Sequence, residues 1–159
     1  MKVAVFPGSF DPFTLAHKDL VDRGLGLFDK IVIAIGVNIN KKGLMDFEHR
    51  KEAIQSVYAD NPKIEVETFT GLTVDLCQKR NAQYILRGLR NSNDLLYEDA
   101  IAQNNLLLAP GIETYFLLSR SGTSHISSTI VRDIWSNKGK IDHLVPKEVL
   151  EILQRSVNS

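Results

Sequence analysis

The residues with the most chemistry to offer stand in five short segments. The first is Pro7-Gly8-Ser9-Phe10-Asp11-Pro12-Phe13-Thr14-Leu15-Ala16-His17. Gly8 lets backbone approach a phosphate closely, and a helix starting after the turn would offer unpaired N–H groups and a positive dipole end. Thr14 and His17, three apart, share a face of its first turn, where His17 can donate a hydrogen bond to a phosphate oxygen. The second, Asn40-Lys41-Lys42-Gly43, supplies a flexible positive charge suited to a transferring phosphoryl group. In the third, Arg87-Gly88-Leu89-Arg90, two guanidiniums flank a glycine; each can pair with a phosphate while Gly88 keeps the backbone near it. Tyr97-Glu98, the fourth, could reach a nucleotide. The fifth, Ile126-Ser127-Ser128-Thr129-Ile130-Val131-Arg132, opens a helix with three hydroxyls that can cap it and offer donors to a triphosphate.

Each segment alone has a plainer reading: a Pro-rich turn, a solvated basic loop, surface arginines, an aromatic and a carboxylate on an amphipathic helix, an N-cap cluster. The charged run Asp46 to Lys51 reads mostly as an exposed helix face. What separates the readings is where the chain must put these residues.

Short β-branched runs alternate with longer amphipathic stretches, the pattern of an α/β domain with a parallel sheet. Strands are expected at Val3 to Phe6, Ile31 to Ile35, Ile64 to Phe69, Tyr84 to Leu86 and Glu113 to Leu118. The second is apolar enough for a central strand covered on both faces, and the third alternates as a strand nearer an edge does. Helices are expected at about Leu15 to Phe28, Phe47 to Tyr58 (capped by Asp46), Leu72 to Arg80, Asn93 to Leu108, Ser128 to Asn137 and Lys147 to Arg155, the last entered through Pro146. In an open parallel sheet, ligands bind beyond the carboxyl ends of the strands. The unusual polar residues collect there: Ser9 to His17, Asn38 to Lys42, Thr70 to Thr73, Arg87 to Arg90 and Ser119 to Thr129 each follow a strand. All five point at one rim.

Composition removes other classes. Acidic and basic residues balance at 19 each, so no global field favours nucleic acid or an anionic membrane. No segment approaches a membrane span, and the apolar run Val3 to Phe6 is too short for a signal-peptide core. Cys77 is the only cysteine, which fits a reducing compartment and buried packing; the expectation is a soluble, cytoplasmic protein. Walker A, GxGxxG and GxSxG patterns are absent. His17, His49, His125 and His143 lack the close spacing of common zinc sites, so no side-chain-held metal is expected.

In order and spacing, PGSFDPxT, the lysine after the second strand, RGLR, YE and ISST resemble the nucleotidyltransferase superfamily marked by (H/T)xGH and ISSTxxR-like motifs. Within it, the chain from Val3 to about Pro146 resembles the bacterial phosphopantetheine adenylyltransferases. The resemblance implies one nucleotidyltransferase domain over residues 1–159, Rossmann-like, with a five-stranded parallel sheet and helices on both faces. It implies transfer of AMP from ATP to 4′-phosphopantetheine, with magnesium accompanying ATP and pyrophosphate, a homohexameric assembly and restraint by coenzyme A. His17, Lys41 and Arg87 match the catalytic positions. Ser9, Phe10, His17, Gly88, Leu89, Arg90, Glu98, Thr123, Ser124, His125, Ile126, Ser127, Ser128 and Thr129 match positions that hold ATP; Ser9, Lys41, Thr73 and Arg87 match those that bind phosphopantetheine. Ala16 stands where the family has glycine, a methyl expected to crowd the nucleotide or shift the helix start. Leu106 stands where many members have arginine, which would remove a phosphate contact. The nearest alternatives are a nicotinamide mononucleotide adenylyltransferase, against which RGLR, Lys41 and the short chain argue, a cytidylyltransferase, and a non-catalytic adenine-nucleotide sensor.

Overall fold

A computed structural model describes residues 1–157. Eleven elements alternate along the chain: β1 (Val3–Gly8), α1 (Leu15–Gly24), β2 (Lys30–Gly36), α2 (Phe47–Val57), β3 (Ile64–Phe69), α3 (Thr73–Lys79), β4 (Tyr84–Leu89), α4 (Ser92–Leu108), β5 (Glu113–Leu118), α5 (Ser128–Ser136) and α6 (Lys147–Val157). The strands form one parallel sheet in the order β3-β2-β1-β4-β5. β3 is an edge, as its alternation predicts. From β1 the chain builds outward through β2 and β3, then returns to the other side of β1 for β4 and β5. The reversal opens a crevice beyond the carboxyl ends of β1 and β4.

Ile31 to Ile35 of β2 is completely buried, because helices cover both faces. One apolar cluster joins Phe6, Ile31, Ile33 and Ile35 to α1, α2, α5 and α6. The other joins Val3, Val5, Val32, Ala34 and Ile85 to Val74, Leu76 and Cys77 of α3. Burial pushes the Cys77 thiol up to about 11, in keeping with a packing role. Side-chain oxygens of Thr14, Asp46, Asn91 and Ser127 cap α1, α2, α4 and α5, satisfying N–H groups that the helices cannot. No helix among the described residues is long and apolar enough to cross a membrane.

Two strand ends differ from expectation in ways that shape the rim. β1 runs through Pro7 to Gly8, paired with β2 as far as Gly8 opposite Ile35, whereas its pairing with β4 covers only Ala4 and Val5. Pro7 therefore forfeits no ladder bond toward β4. β4 continues past Leu86 to Leu89, held by β5 residues Phe116, Leu117 and Leu118. Arg87 and Gly88 thus project from a rigid strand and not from the loop after it. α1 is shorter than its periodicity suggests: it ends at Gly24, and Leu25 to Leu27 form a turn that returns Phe28 to the core.

Candidate active site

The turn after β1 folds back on itself, and its geometry starts with His17. Thr14 and His17 form a reciprocal cap: the Thr14 backbone N–H donates to His17 Nδ1 at 2.9 Å, and the His17 N–H donates to Thr14 Oγ1 at 3.3 Å. A backbone N–H can only donate, so Nδ1 is an acceptor and the ring proton sits on Nε2. Phe13 stacks on the imidazole at 5.4 Å between centroids, and Phe10 meets it edge-on at 5.0 Å. This burial, reinforced by the Arg87 and Arg90 charges, lowers the His17 pKa from 6.5 to about 3. The ring is a neutral Nε2–H donor on the wall of a polar cleft.

That cleft gathers Ser9, Phe10 and His17 from the first segment, Lys41 from the second, Arg87, Gly88 and Arg90 from the third, and Glu98 from α4. Ile126, Ser127, Ser128, Thr129 and Arg132 complete it from the fifth. A second cavity, of 390 Å³, adjoins it and shares Pro7, Gly8, Ser9, Arg87 and Glu98. Its wall is largely apolar, with Val37, Phe69, Ile85, Ile101 and Ala102, and it holds Thr73. The rim expected from the strand ends is therefore one crevice with two lobes meeting at Ser9 and Arg87. Leu89 is buried, while Thr123, Ser124 and His125 lie in the turn before Ile126 and do not line either lobe.

Arg87 stands at the junction. Its Nε and Nη2 donate to the two carboxylate oxygens of Glu98, at 3.0 and 2.5 Å, and its Nη1 donates to the Pro7 carbonyl at 2.5 Å. A guanidinium has five N–H groups, so two remain for a ligand. Glu98 is 7% exposed and is the one buried residue of α4, whereas its neighbour Tyr97 points to solvent. Arg90 is braced by Asp94, which accepts from both its backbone N–H and its Nε. Gly88 has a packing reason beyond closeness to a ligand: a Cβ there would collide with Leu20 of α1.

Several groups expected to face a ligand are engaged by the fold. The Leu15 N–H donates to the Leu144 carbonyl and the His17 N–H to Thr14, so α1 meets the cleft chiefly through its histidine ring. Ser127 caps α5 by accepting from the Ile130 N–H, and Ser128 Oγ donates to the Pro12 carbonyl. Ala16 packs in the main core cluster, and α1 begins at Leu15 with its cap intact, so the methyl neither lines the cleft nor shifts the helix start.

Sequence reasoning passed over Asp11, Arg50 and Arg132 as site-shaping groups. Asp11 and Arg50 are each 5% exposed and ion-paired at 3.3 Å, Arg50 being the buried exception in the mostly exposed run expected at Asp46 to Lys51. The available signal was the carboxylate inside a Pro-flanked turn, where water is excluded and a cation or N–H donors must answer it.

A five-stranded parallel sheet with a cation-lined crevice at its switch point is the arrangement a nucleotidyltransferase needs, and the Cytidylyltransferase-like family model matches residues 5–134. The chain is 51% identical over 149 residues to the phosphopantetheine adenylyltransferase of Christiangramia forsetii, covering 94% of this chain and 98% of that one. It is 45% identical to that of Geobacter metallireducens, covering 96% and 94%, and 40% identical to that of Clostridium perfringens, covering 100% and 97%. The chain belongs to the phosphopantetheine adenylyltransferase family.

Proposed function

We propose that the protein transfers AMP from ATP to 4′-phosphopantetheine, giving dephospho-coenzyme A and pyrophosphate, a step of coenzyme A biosynthesis. The observation that carries this reading is the joining of a mostly apolar slot to a cation-lined cleft at Ser9 and Arg87. The slot suits the long pantetheine arm, with Thr73 within it, and the cleft suits a triphosphate. The junction is where an acceptor phosphate would meet the α-phosphorus.

A phosphate oxygen of the acceptor attacks the α-phosphorus of ATP in line, and the bond from that phosphorus to the bridging oxygen of the pyrophosphate breaks. No side-chain nucleophile is required, because the acceptor is already an anion. Catalysis is alignment and charge stabilisation. Lys41 and Arg87, with Ser9, hold the acceptor phosphate, and Glu98 sets the Arg87 guanidinium between acceptor and nucleotide. His17 donates Nε2–H to an α-phosphate oxygen. Arg90, Gly88, Phe10 and Ile126 to Thr129 hold ATP, the last chiefly through the N-terminus of α5, while Leu89 and Thr123 to His125 support these segments from outside the cleft lining.

Magnesium enters with the nucleotide. Among the described residues no three His, Cys, Asp or Glu side chains gather as a protein-held site, and magnesium favours phosphate oxygens and water. Bound there, the ion would supply charge neutralisation for the leaving pyrophosphate, with Arg90 and Lys41 the nearby protein cations. Exposed apolar side chains on α4, Leu96 and Leu107 among them, offer a surface for the subunit contacts of a homohexamer. Coenzyme A carries the same pantetheine arm and would compete for the slot, the basis of feedback restraint. The lone buried thiol agrees with the reducing cytoplasm.

The apolar slot argues against nicotinamide mononucleotide, which has no such arm. Pyrophosphate release with ATP, magnesium and 4′-phosphopantetheine, beside parallel mixtures containing nicotinamide mononucleotide or CTP, tests the reading. Release only with ATP and phosphopantetheine, and a product of the mass of dephospho-coenzyme A, is expected. ATP binding with no release from any mixture would leave a sensor instead.

A further inference from the structure

The loop between β2 and α2 carries Lys41 to the cleft, yet little within the loop can hold it there. Lys41 and Lys42 are exposed, and the hydrogen bonds at Asn40 and Lys41 run back only to Asn38. Its firm attachment comes a few residues later. Asp11 Oδ2 accepts from the Leu44 N–H and Oδ1 from the Met45 N–H, both at 2.8 Å. Arg50, from the first turn of α2, pairs with the same carboxylate, donates Nε to the Met45 carbonyl at 2.8 Å and Nη1 to the Ser9 carbonyl at 3.1 Å. Arg132 of α5 donates to the Asp11 carbonyl at 2.8 Å. Gly43 closes over this cluster so tightly that a Cβ would collide with both Arg50 and the Asp11 carboxylate.

We propose that Asp11 and Arg50 are positioning residues: their buried ion pair fixes the Lys41 loop against the turn that carries Ser9 and His17. A buried carboxylate answered by one guanidinium and two N–H groups is a rigid joint, because each partner's desolvation is compensated only in that arrangement. Asp11 and Arg50 line neither lobe of the crevice; they border a smaller cavity beside it that shares Ser9 and Lys41. The joint's effect on the reaction is through the register between Lys41 on its loop and His17 in the first turn of α1. Register of this kind matters in a transfer whose catalysis is mostly alignment. The proposal rests on the reading of Lys41 as a phosphate-contacting group.

The test combines a kinetic cycle with a structural readout. Asp11→Asn, Lys41→Ala and the double variant are assayed for kcat and for KM of each substrate. Hydrogen exchange at the Leu44 and Met45 amides is followed in the wild type and Asp11→Asn. Asparagine keeps the side-chain shape, and Arg50 retains the Met45 and Ser9 carbonyls as acceptors. Gly43→Ala approaches the joint from the exposed side of the loop and is a second variant that leaves the ion pair's own residues in place.

In Asp11→Asn, the two amides are expected to exchange at least about 10-fold faster, as a locally loosened segment does. The kcat is expected to fall about 10- to 100-fold, a size typical of misalignment remote from the chemistry, with KM for ATP little changed. Gly43→Ala should lower kcat in the same direction. The double variant should be no slower than Lys41→Ala alone, because both changes remove one contribution. Wild-type exchange in Asp11→Asn would overturn the joint itself. Rate losses that multiply would show that Asp11 does not act through Lys41 and would overturn the positioning role. Wild-type kcat in Lys41→Ala, with the amides deprotected in Asp11→Asn, would instead overturn the underlying reading of Lys41.

Discussion

His17 divides its work between its two nitrogens. Nδ1 is held by the Thr14 N–H, which leaves Nε2–H as a fixed donor, and three phenylalanines pack around the ring. Replacing His17 by alanine should lower kcat by about 10²-fold or more, the cost of losing a preorganised donor, with a smaller change in KM for ATP. A wild-type kcat would remove this role. The depressed pKa also predicts a pH response. The neutral donor persists well below 6.5, so the kcat profile should show no acidic limb at an ordinary histidine pKa from this residue. For stability the sign is the reverse of a salt-bridged histidine. The unfolded chain takes up a proton as pH falls below about 6.5, and the native ring does not until about 3, so this group costs stability progressively across that window. Denaturant midpoints at pH 7.5 and 5 should therefore differ less in His17→Asn than in the wild type. The three-residue spacing of Thr14 and His17 was legible in the sequence. The tautomer was not, because it depends on which nitrogen the folded turn brings to an N–H.

Among the elements, α1 and β4 do most to place the reacting groups. Thr14 is wholly buried, and its hydroxyl satisfies the His17 N–H at the start of α1. Thr14→Ala should destabilise the protein by about 0.5–2 kcal/mol, the usual cost of a lost N-cap, measured by denaturant unfolding. Because the same turn orients the imidazole, kcat should fall as well, and Thr14→Ser should recover most of both losses. The extension of β4 through Arg87 has a parallel logic. A loop arginine would sample many positions, whereas Arg87 leaves a strand paired on β5 and is clamped by Glu98 and the Pro7 carbonyl. Sequence patterns put β3 at its observed ends and capped α2 at Asp46, since a run of alternating residues and a capping carboxylate are local features. They stopped β4 at Leu86, because an arginine and a glycine are poor strand formers until a neighbouring strand supplies their partners.

For the whole molecule, α4 leaves nearly all of its length outside the core. Leu96 is 75% exposed, Leu107 81%, and Leu108 and Leu95 lie nearby in sequence on a helix whose one buried residue is Glu98. If that face joins subunits in the proposed homohexamer, Leu96→Arg should shift the mass measured by light scattering toward smaller species, while an exposed control such as Glu48→Lys should not. An unchanged mass would locate the interface elsewhere. Since Glu98 on the same helix braces Arg87, loss of assembly is also expected to reduce activity. By itself the sequence determined the alternation of strands and helices, the rim on which polar residues collect, and the family, because periodicity, caps and motif spacing are written along the chain. Tertiary structure decided which of those polar groups are left for a ligand. Ser128 is bound to Pro12 and Asp11 to Leu44, Met45 and Arg50, while the Leu15 N–H is bound to Leu144. These partners lie far apart in sequence, and a hydrogen bond becomes available or engaged only when folding brings its second group within reach.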